Sequence, residues 1–325
     1  MKHWIEAARL RTLPLSVSGI ILGSFYAMSE SVFNWKIVIA ALSTTLLLQI
    51  LSNFANDYGD GIKGTDNDDR IGPKRAIQSG AISPGAMKRA LYITSLLTMF
   101  SAITLIYVSF KGTNLVYSIF FLLLGALAVA SAIRYTVGNT AYGYRGYGDM
   151  FVFVFFGLVS TLGVSFMILK EIDPLLILPA VAIGFLSVGV LNLNNMRDEE
   201  SDRMAGKNTI VVKIGGAAAK KYHYFLVISA MILFVVFTVM FDFSKDNDPE
   251  RFNFDLYFFV IVYIPLVRHL LRVKRATQPR MLDPELKKLA ICTFLISVIL
   301  ALSLIYFFSD VIVQIINATS NQLNA

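Results

Sequence analysis

The strongest constraint on this 325-residue chain is a series of nine long apolar segments separated by polar connections. Each segment is long enough to cross the hydrocarbon core of a bilayer as an α-helix. The segments cover approximately 13–31, 36–57, 87–110, 114–133, 150–169, 174–196, 222–242, 253–273 and 286–309. Because 56% of the residues are hydrophobic and only 16% are charged, a water-soluble fold could not bury so much apolar surface. The sequence therefore predicts an all-α integral membrane protein, a bundle of nine transmembrane helices.

The distribution of Lys and Arg predicts the orientation of this bundle. With a cytoplasmic N-terminus, 24 of the 29 Lys and Arg residues fall on the cytoplasmic side and 5 on the outer side. Cytoplasmic loops of membrane proteins typically carry such an excess of positive charge. We therefore expect a cytoplasmic N-terminus, a single membrane domain over residues 1–309, and a short external tail over residues 310–325. The basic inner face suits anionic lipid or an anionic substrate, and the composition argues against a nucleic-acid partner.

Polar side chains follow one face of the second apolar segment to its inner end. Read as a helix, Gln49, Asn53, Asn56, Asp57 and Asp60 fall within an arc of about 100° on an otherwise apolar surface. Carboxylates near membrane depth are costly and normally face an interior cavity. The pattern therefore predicts a polar stripe that faces such a cavity and leads into a long loop.

The sixth segment ends in a similar polar stripe. Asn192, Asn195, Asp198, Glu199 and Asp202 cover about 120° of one helix. Clustered carboxylates and amide oxygens without His or Cys suit hard cations, and Mg²⁺ typically binds one or two carboxylates together with phosphate oxygens. Two facing clusters could hold Mg²⁺ around a diphosphate, and the cations would remove the repulsion between the acids. Solvation of the helix ends in the headgroup layer is the alternative for either cluster alone.

Basic residues lie beside both acidic clusters, where they could bind phosphate oxygens. They are Lys63, Arg70, Lys74, Arg75, Arg197, Arg203 and Lys207, with Arg134 at the end of the fourth segment. The bias toward positive cytoplasmic loops alone explains many of them. Glycines near the first cluster could allow close backbone approach to an anion, namely Gly59, Gly61, Gly64 and Gly72.

Aromatic residues gather around the connection between the fourth and fifth segments. They include Tyr142, Tyr144, Tyr147, Phe151, Phe153, Phe155 and Phe156. Two interpretations stay open, a belt at the membrane interface and a wall that stabilises a carbocation. The three histidines are far apart in sequence and have no carboxylate at a useful spacing, so we do not expect them to be catalytic.

A magnesium–diphosphate site at one end of an apolar bundle favours a substrate with a charged head and a long apolar tail. An isoprenyl diphosphate meets both requirements, with its head at the carboxylates and its tail between helices. Departure of the diphosphate would leave an allylic cation for an electron-rich acceptor. A cation-coupled transporter is the main alternative from another class, although its carboxylates would lie nearer the bilayer centre.

The polar motifs resemble those of the UbiA-type intramembrane prenyltransferases. The resemblance rests on Asn56-Asp57-Tyr58-Gly59-Asp60 with Lys63-Gly64 and Asp66, and on Asn195-Met196-Arg197-Asp198 to Asp202 with residues 205–209. A narrower resemblance, to the branch that prenylates 1,4-dihydroxy-2-naphthoate, rests on residues 56–78, 11–14, 135–139, 142–144, 148–149 and 155–157. In the wider family a third acid often stands where this chain has Gly64, and here the acid is Asp66.

The resemblance implies transfer of a polyprenyl group from polyprenyl diphosphate to 1,4-dihydroxy-2-naphthoate. Carbon dioxide and diphosphate would leave, and demethylmenaquinol, a precursor of menaquinone, would form. The resemblance also implies Mg²⁺ as the cofactor and a location in the cell (inner) membrane with the active site facing the cytoplasm. Another aromatic acceptor, such as 4-hydroxybenzoate or homogentisate, is the nearest alternative.

The same resemblance assigns residues to three tasks. Mg²⁺ would be bound by Asn56, Asp57, Asp60, Asp198 and Asp202, and these four aspartates and Lys63 would be catalytic. Lys63, Arg70, Lys74 and Lys207 would contact the diphosphate or close the loop. Asn53 and Asn56 would orient ligands or bind metal directly, and Asn195 would bind substrate. The acceptor would lie near Arg134, Tyr135, Tyr144 and Asp149.

Overall fold

A computed structural model describes residues 2–66, 71–245 and 253–323 of the chain. Every regular element among these residues is helical, which confirms the all-α class. The α-helices are α1 (Lys2–Ala8), α2 (Leu13–Ser29), α3 (Trp35–Lys63), α4 (Pro84–Phe110), α5 (Leu115–Arg134), α6 (Gly148–Val152), α7 (Ser160–Leu169), α8 (Ile177–Arg197), α9 (Glu199–Met204), α10 (Ile210–Ile214), α11 (Gly216–Lys245), α12 (Tyr263–Arg275) and α13 (Asp283–Leu323). A π-helical stretch (Phe153–Val159) joins α6 to α7, and a 3-10 stretch (Phe254–Val262) precedes α12.

Eight of the described helical segments are long and apolar enough to cross a membrane, so the chain is a multi-pass membrane protein. A ninth span would require α1 and α2 to act as one, although they meet at an angle of 53°. Arg9, at the break between them, adopts a left-handed conformation with φ of 52°. The count of nine spans and the cytoplasmic N-terminus remain predictions. So does the external tail, whose backbone is helical as far as Leu323.

Capping residues explain where the long helices begin and end. Asn34, Ser83 and Asn114 accept hydrogen bonds from backbone N–H groups in the first turns of α3, α4 and α5. Gly64 ends α3 with φ of 72°, a conformation that residues with a side chain rarely adopt. The stop at Gly64 places Asp60 in the last turn of α3, and we call this end of the bundle its inner end and the opposite end its outer end, without reference to the side of the membrane.

Two groups of helices pack on either side of α2. On one side α3 packs on α4 and α5, and on the other side α8 packs on α11 and α13. α2 itself contacts α3, α7 and α13. The π-helical stretch lies directly against α8, because a Cβ added to Gly157 would be 2.6 Å from the carbonyl oxygen of Ala180. This arrangement leaves a space enclosed by α2, α3, α4, α5, the span from α6 to α7, α8 and α13.

The contact between α11, α12 and α13 contains a buried polar chain. His223 Nε2 lies 2.8 Å from His269 Nε2, and His269 Nδ1 lies 2.7 Å from a carboxylate oxygen of Glu285. All three side chains are buried. Helix packing thus brings Glu285 against the ring of His269, although the two residues have no useful spacing in the sequence. These contacts join the last three spans to one another.

The orientation can be tested with two introduced cysteines in a Cys292→Ser background. Lys111 follows α4 and Lys221 lies in the first turns of α11, and both are exposed. If the N-terminus is cytoplasmic, a membrane-impermeant maleimide should label Lys111→Cys in intact cells and Lys221→Cys only after permeabilisation. The reverse pattern would contradict the predicted orientation.

Candidate functional site

A cavity of about 370 Å³ lies inside the bundle, and its lining changes from polar to apolar along its length. The inner end is lined by Asn56, Asp60, Arg75, Asn194 and Lys207, and the outer end by Ile20, Ala41, Ile106, Phe121 and Met167. Along α3 the lining runs from Asp60 to Ala41, a length of about 28 Å at a rise of 1.5 Å per residue. A space with a charged end and an apolar body suits an amphiphilic ligand.

Lys207 joins the two acidic clusters at the inner end of this cavity. Its Nζ lies 3.9 Å from Oδ2 of Asp60 on α3 and 3.4 Å from Oδ1 of Asp202 on α9. All three side chains are buried. The backbone N–H of Lys207 also donates to the carbonyl of Asp202 at 2.8 Å, which fixes the lysine beside its partner. Two helix ends that are far apart in sequence therefore meet around one ammonium group.

Burial and neighbouring charges shift the pKa values of these groups. Desolvation, opposed by the attraction of Lys207 and reinforced by the charges of Asp198 and Asp60, raises the pKa of Asp202 to about 6. Burial by itself lowers the pKa of Lys207, but the charges of Asp60 and Asp202 outweigh it and raise this pKa. Lys207 is therefore an ammonium at neutral pH, where Asp202 is mostly ionised. A divalent cation between the two acids would take over the neutralising role of Lys207.

Tyr144 positions Asp60 from the connection that follows α5. Its hydroxyl donates a hydrogen bond to Oδ1 of Asp60 at 2.8 Å. Its ring lies under two ammonium groups, with Nζ of Lys63 at 3.9 Å and Nζ of Lys207 at 5.5 Å from the ring centroid. Such contacts stabilise cations through the negative face of the ring. Lys63 also donates to the carbonyl of Thr136 at 2.7 Å, which ties the end of α3 to the same connection.

Asp57 has a different environment from Asp60. Its carboxylate oxygens accept hydrogen bonds from the backbone N–H groups of Ala76 at 3.1 Å and Ile77 at 3.2 Å. It is 1% exposed and is not among the described residues that line the cavity. A Cβ added to Gly61 would lie 2.7 Å from Cγ2 of Ile77, so this glycine allows close approach of the loop and not of an anion. Asp57 therefore anchors the loop against α3.

Asp198 is paired with the guanidinium group of Arg197. Nε and Nη2 of Arg197 lie 2.8 and 2.7 Å from the two carboxylate oxygens, and Nη1 lies 2.5 Å from Asp283 at the start of α13. Arg197 is only 1% exposed. It also donates to the side-chain oxygen of Asn194 at 3.0 Å, and Asn194, not Asn195, lines the cavity. Arg197 thus neutralises Asp198 behind the cavity wall and connects it to α13.

Asn53 and Asn56 lie one turn apart on α3, and both line the cavity. Asn53 donates a hydrogen bond to the carbonyl of Ala8 at 2.8 Å. This contact stabilises the backbone at the end of α1, where the chain bends before α2. The side-chain oxygen of Asn56 lies 3.4 Å from the hydroxyl of Thr136. Because Asn56 and Asp60 are four residues apart, their oxygens lie on one helix face, where they could share a cation.

The other predicted substrate residues lie away from this cavity or outside the described residues. Asp149 is buried and accepts a hydrogen bond from the hydroxyl of Tyr222 at 3.1 Å. Arg134 and Lys74 are exposed, and neither is among the described residues that line the cavity. Arg70 lies outside the described residues. The structure thus brings Tyr135 to the cavity but not Arg134, its neighbour in sequence.

An aromatic wall formed by Tyr135, Tyr142, Phe151 and Phe155 lines the middle of the cavity. Tyr142 stacks on Phe151 with 4.0 Å between centroids and meets Tyr135 edge-on at 5.4 Å. Phe151 in turn stacks with Phe155 at 6.2 Å. The hydroxyl of Tyr142 donates to the carbonyl of Ser131 at 2.9 Å and holds this connection on α5. Their position in the cavity favours the interpretation as a wall over the interface belt for these four rings.

Arg9 also lines the cavity, although no pattern in the sequence predicts this position. Its left-handed backbone, with φ of 52°, is uncommon for a residue other than glycine. Such strained positions tend to occur at functional sites. Pro14, in the first turn of α2, indicates in the sequence that a helix starts there. The sequence does not show that the break before α2 turns Arg9 toward the cavity.

The donor groups at the inner end fit Mg²⁺. Within the described ranges no set of three or more His, Cys, Asp or Glu residues is preassembled around a metal position, because Asp57 and Asp198 bond elsewhere. Oδ2 of Asp202, however, is buried without a hydrogen-bond partner. Mg²⁺ commonly uses one or two carboxylates and completes its octahedron with water and substrate phosphate oxygens. Asp60, Asp202 and Asn56 supply such an incomplete set.

The profile of the UbiA prenyltransferase family matches residues 16–245. Over 307 residues the chain is 39% identical to a 1,4-dihydroxy-2-naphthoate octaprenyltransferase of Haemophilus influenzae, covering 94% of this chain and 96% of that protein. It is 46% identical over 236 residues to the protein of the same name from Escherichia coli, covering 73% and 76% of the two chains. A UbiA homolog from Archaeoglobus fulgidus, solved with bound GPP and Mg²⁺, shares the fold with a TM-score of 0.60. It is 14% identical, and the match covers 92% of this chain and 99% of that chain.

The anchoring role of Asp57 predicts that Asp57→Ala lowers the free energy of unfolding by about 1–3 kcal/mol, because the buried N–H group of Ala76 and the partly buried N–H group of Ile77 lose their acceptor. Asp60→Ala, one turn along the same helix, is the matched control. In Asp60→Ala the hydroxyl of Tyr144 still bonds Thr65 and Lys207 still pairs with Asp202. A smaller loss of unfolding free energy is therefore expected. Denaturant unfolding of the detergent-solubilised protein measures both values. Equal losses would argue against the anchoring role.

Proposed function

The chain belongs to the UbiA prenyltransferase family, and we propose that it transfers a polyprenyl group from polyprenyl diphosphate to 1,4-dihydroxy-2-naphthoate. The reaction releases diphosphate and CO₂ and forms demethylmenaquinol. The observation that carries this proposal is the junction of Asp60, Lys207 and Asp202 at the charged end of a long apolar cavity. The naphthoate octaprenyltransferases at 39% and 46% identity support the acceptor.

Asn56, Asp60 and Asp202 are the residues that would hold Mg²⁺, which supplies neutralisation of the diphosphate charge when bound. Asp57 and Asp198 support these groups from behind the cavity wall, the first through the loop and the second through Arg197. The excess of Lys and Arg at this end of the bundle supports a cytoplasmic active site in the cell (inner) membrane.

Basic side chains around the cavity would bind the diphosphate oxygens. Lys207 lies between the two acids, and Arg75 lines the cavity with its Nε 3.6 Å from Oδ2 of Asp66. Lys63 is held close by the ring of Tyr144. When the bond between carbon and oxygen breaks, its electron pair stays with the diphosphate. Fixed positive charges lower the energy of that developing anion.

The aromatic wall then faces the allylic cation that remains. The faces of Tyr135, Tyr142, Phe151 and Phe155 carry negative potential, which stabilises a nearby cation. The rings also keep water away from it, so that transfer to the acceptor competes with hydrolysis. The position of the wall, between the acids and the apolar end, is where the first isoprene unit of a bound donor would lie.

The acceptor would enter the same cavity beside Arg9. The ring carbon that bears the carboxylate attacks the cation, the new carbon–carbon bond forms, and the carboxylate leaves as CO₂. Arg9 supplies a positive charge at the cavity surface, where it can hold that carboxylate until the bond forms. It replaces Arg134 in this role, because Arg134 is exposed away from the cavity.

The reaction can be tested with purified protein, octaprenyl diphosphate, Mg²⁺ and the naphthoate. Asp60→Asn and Asp202→Asn should each lower turnover about 100-fold or more, because each removes a charge that balances the diphosphate complex. Glu200→Gln is the matched control, since Glu200 is exposed on the same short helix as Asp202. Release of diphosphate and CO₂ measures turnover. Diphosphate release with 4-hydroxybenzoate but not with the naphthoate would point to another acceptor, and no release with any acceptor would contradict prenyl transfer.

The acceptor assignment predicts that Arg9→Gln raises the KM for the naphthoate about tenfold or more, the cost of losing a charge-assisted contact. The KM for the prenyl donor should stay near its original value. Arg134→Gln is the control. Because Arg134 is exposed and does not line the cavity, this change should alter each KM by no more than about twofold. A rise in the donor KM alone would assign Arg9 to the diphosphate.

A further inference from the structure

Helix α12 has a buried face and an exposed face of opposite character. The buried face packs against α11 and α13 and consists of Leu266, His269, Leu270 and Val273. At about 100° per residue these positions span an arc of only about 100°. α12 therefore gives one narrow side to the bundle and leaves its other side to its surroundings.

The exposed face combines arginines with apolar side chains. The arginines fall within an arc of about 60° and are Arg268, Arg272 and Arg275. Beside them, an arc of similar width carries three apolar side chains that are 47–55% exposed, namely Ile264, Val267 and Leu271. We call the six residues together the arginine face. No residue of α12 is acidic, so nothing on this helix offsets the positive charge.

The arginine face lies at the inner end of a membrane span. The segment Phe254–Arg275 is long and apolar enough to cross a bilayer. Nζ of Lys220, in the first turns of α11, donates to the carbonyl of Ala276 at 2.6 Å, which places the end of α12 beside the start of α11. The apolar part of the face therefore contacts lipid chains, and the arginines lie near the headgroup layer.

Most of the N–H donors on the arginine face are unused by the protein. Among the described residues, neither Arg268 nor Arg275 has a hydrogen-bond or ion-pair partner. Nη1 of Arg272 lies 3.3 Å from Oε1 of Glu285, but the side chain of Arg272 is still 64% exposed. Each guanidinium group has five donors in a planar fork. Arginines that face lipid at this depth require anionic partners, and the phosphate groups of lipids supply them.

The spacing of the arginines suits a phosphate group. Arg268 and Arg272 are four residues apart, a separation at which the Cβ atoms lie about 5–6 Å from each other. Two guanidinium groups at this distance can bind oxygens of the same phosphate, each through paired N–H groups. Arg275 continues the row about 10 Å beyond Arg268 along the helix axis, where it can contact the rest of a headgroup.

We propose that the arginine face binds one anionic phospholipid from the leaflet at the inner end of the bundle. The phosphate lies between Arg268 and Arg272, and the acyl chains lie along the apolar residues of the same face. Those apolar neighbours favour a lipid over a free phosphate ion. The uncompensated charge favours an anionic headgroup over a zwitterionic one.

A lipid bound here would also stabilise the contact between the last three spans. Glu285, the partner of Arg272, lies 2.7 Å from Nδ1 of His269 and 2.6 Å from Nζ of Lys288. His269 in turn contacts His223 on α11. A phosphate group on Arg272 is therefore connected to all three helices. This binding does not require prenyl transfer, so it can be tested separately from the proposed function.

Lipid binding can be measured by native mass spectrometry of delipidated protein titrated with phosphatidylglycerol or phosphatidylcholine. The unaltered protein should bind one phosphatidylglycerol about tenfold or more tightly than phosphatidylcholine. Arg268→Gln combined with Arg275→Gln should reduce this preference to within about twofold, and neither change removes a contact inside the described protein. Lys88→Gln combined with Arg89→Gln is the matched control. These two residues are exposed at the start of α4, at the same end of the bundle, and their replacement should leave the preference intact.

Thermal unfolding gives a second readout. Phosphatidylglycerol should raise the Tm of the unaltered protein and of the α4 variant, but not that of the α12 variant. Equal affinity of the unaltered protein for the two lipids would overturn the proposal, and so would equal losses of preference in the two variants. Displacement of bound phosphatidylglycerol by excess inorganic phosphate, but not by chloride at the same ionic strength, would show recognition of phosphate alone and would also overturn it.

Discussion

Acidic side chains can remain together at the edge of an apolar bundle only if positive charge lies among them, and Lys207 meets that condition here. Isolated carboxylates at this depth would repel each other and lose hydration. Because Lys207 contacts both Asp60 and Asp202, the two helix ends are held in place before any substrate arrives. If a divalent cation and a diphosphate bind here, their charges would replace the ammonium group of Lys207 as the balance for the two carboxylates. The roles proposed for the apolar cavity and the aromatic wall both depend on this junction, since it fixes where the reactive end of a donor would lie.

The two acidic clusters divide into residues that face the cavity and residues that support them. Asp60 lines the cavity and Asp202 contacts Lys207, which also lines it, whereas Asp57 binds backbone N–H groups and Asp198 binds Arg197. A carboxylate that is hydrogen-bonded to backbone N–H groups or to a buried guanidinium has a fixed position. It therefore also restricts movement of the helical turn that carries it. These contacts would keep Asp60 and Asp202 in position to hold a metal ion. Their position matters because a small misplacement weakens both metal binding and electrostatic stabilisation.

Patterns confined to one helix could be predicted from the sequence, and contacts between distant helices could not. The apolar spans, the family and the shared face of Asn56 and Asp60 follow from composition, motifs and helical periodicity. The inward turn of Arg9 depends on a break between α1 and α2, and the exposure of Arg134 depends on how the connection after α5 folds back through Tyr142. The contact of His269 with Glu285 requires α12 and α13 to pack at one register. None of these arrangements has a local signal, because each is decided by the packing of separate elements.

The most direct test of the central junction is a structure of the protein with a prenyl thiodiphosphate analogue and Mn²⁺, with the metal located by its anomalous scattering. If Asp60 and Asp202 hold the metal, Mn²⁺ should lie at about 2.1 Å from oxygens of both residues, with the diphosphate against Lys207. An ion held by Asp57 and Asp198 alone, with Asp60 and Asp202 outside its coordination shell, would contradict it.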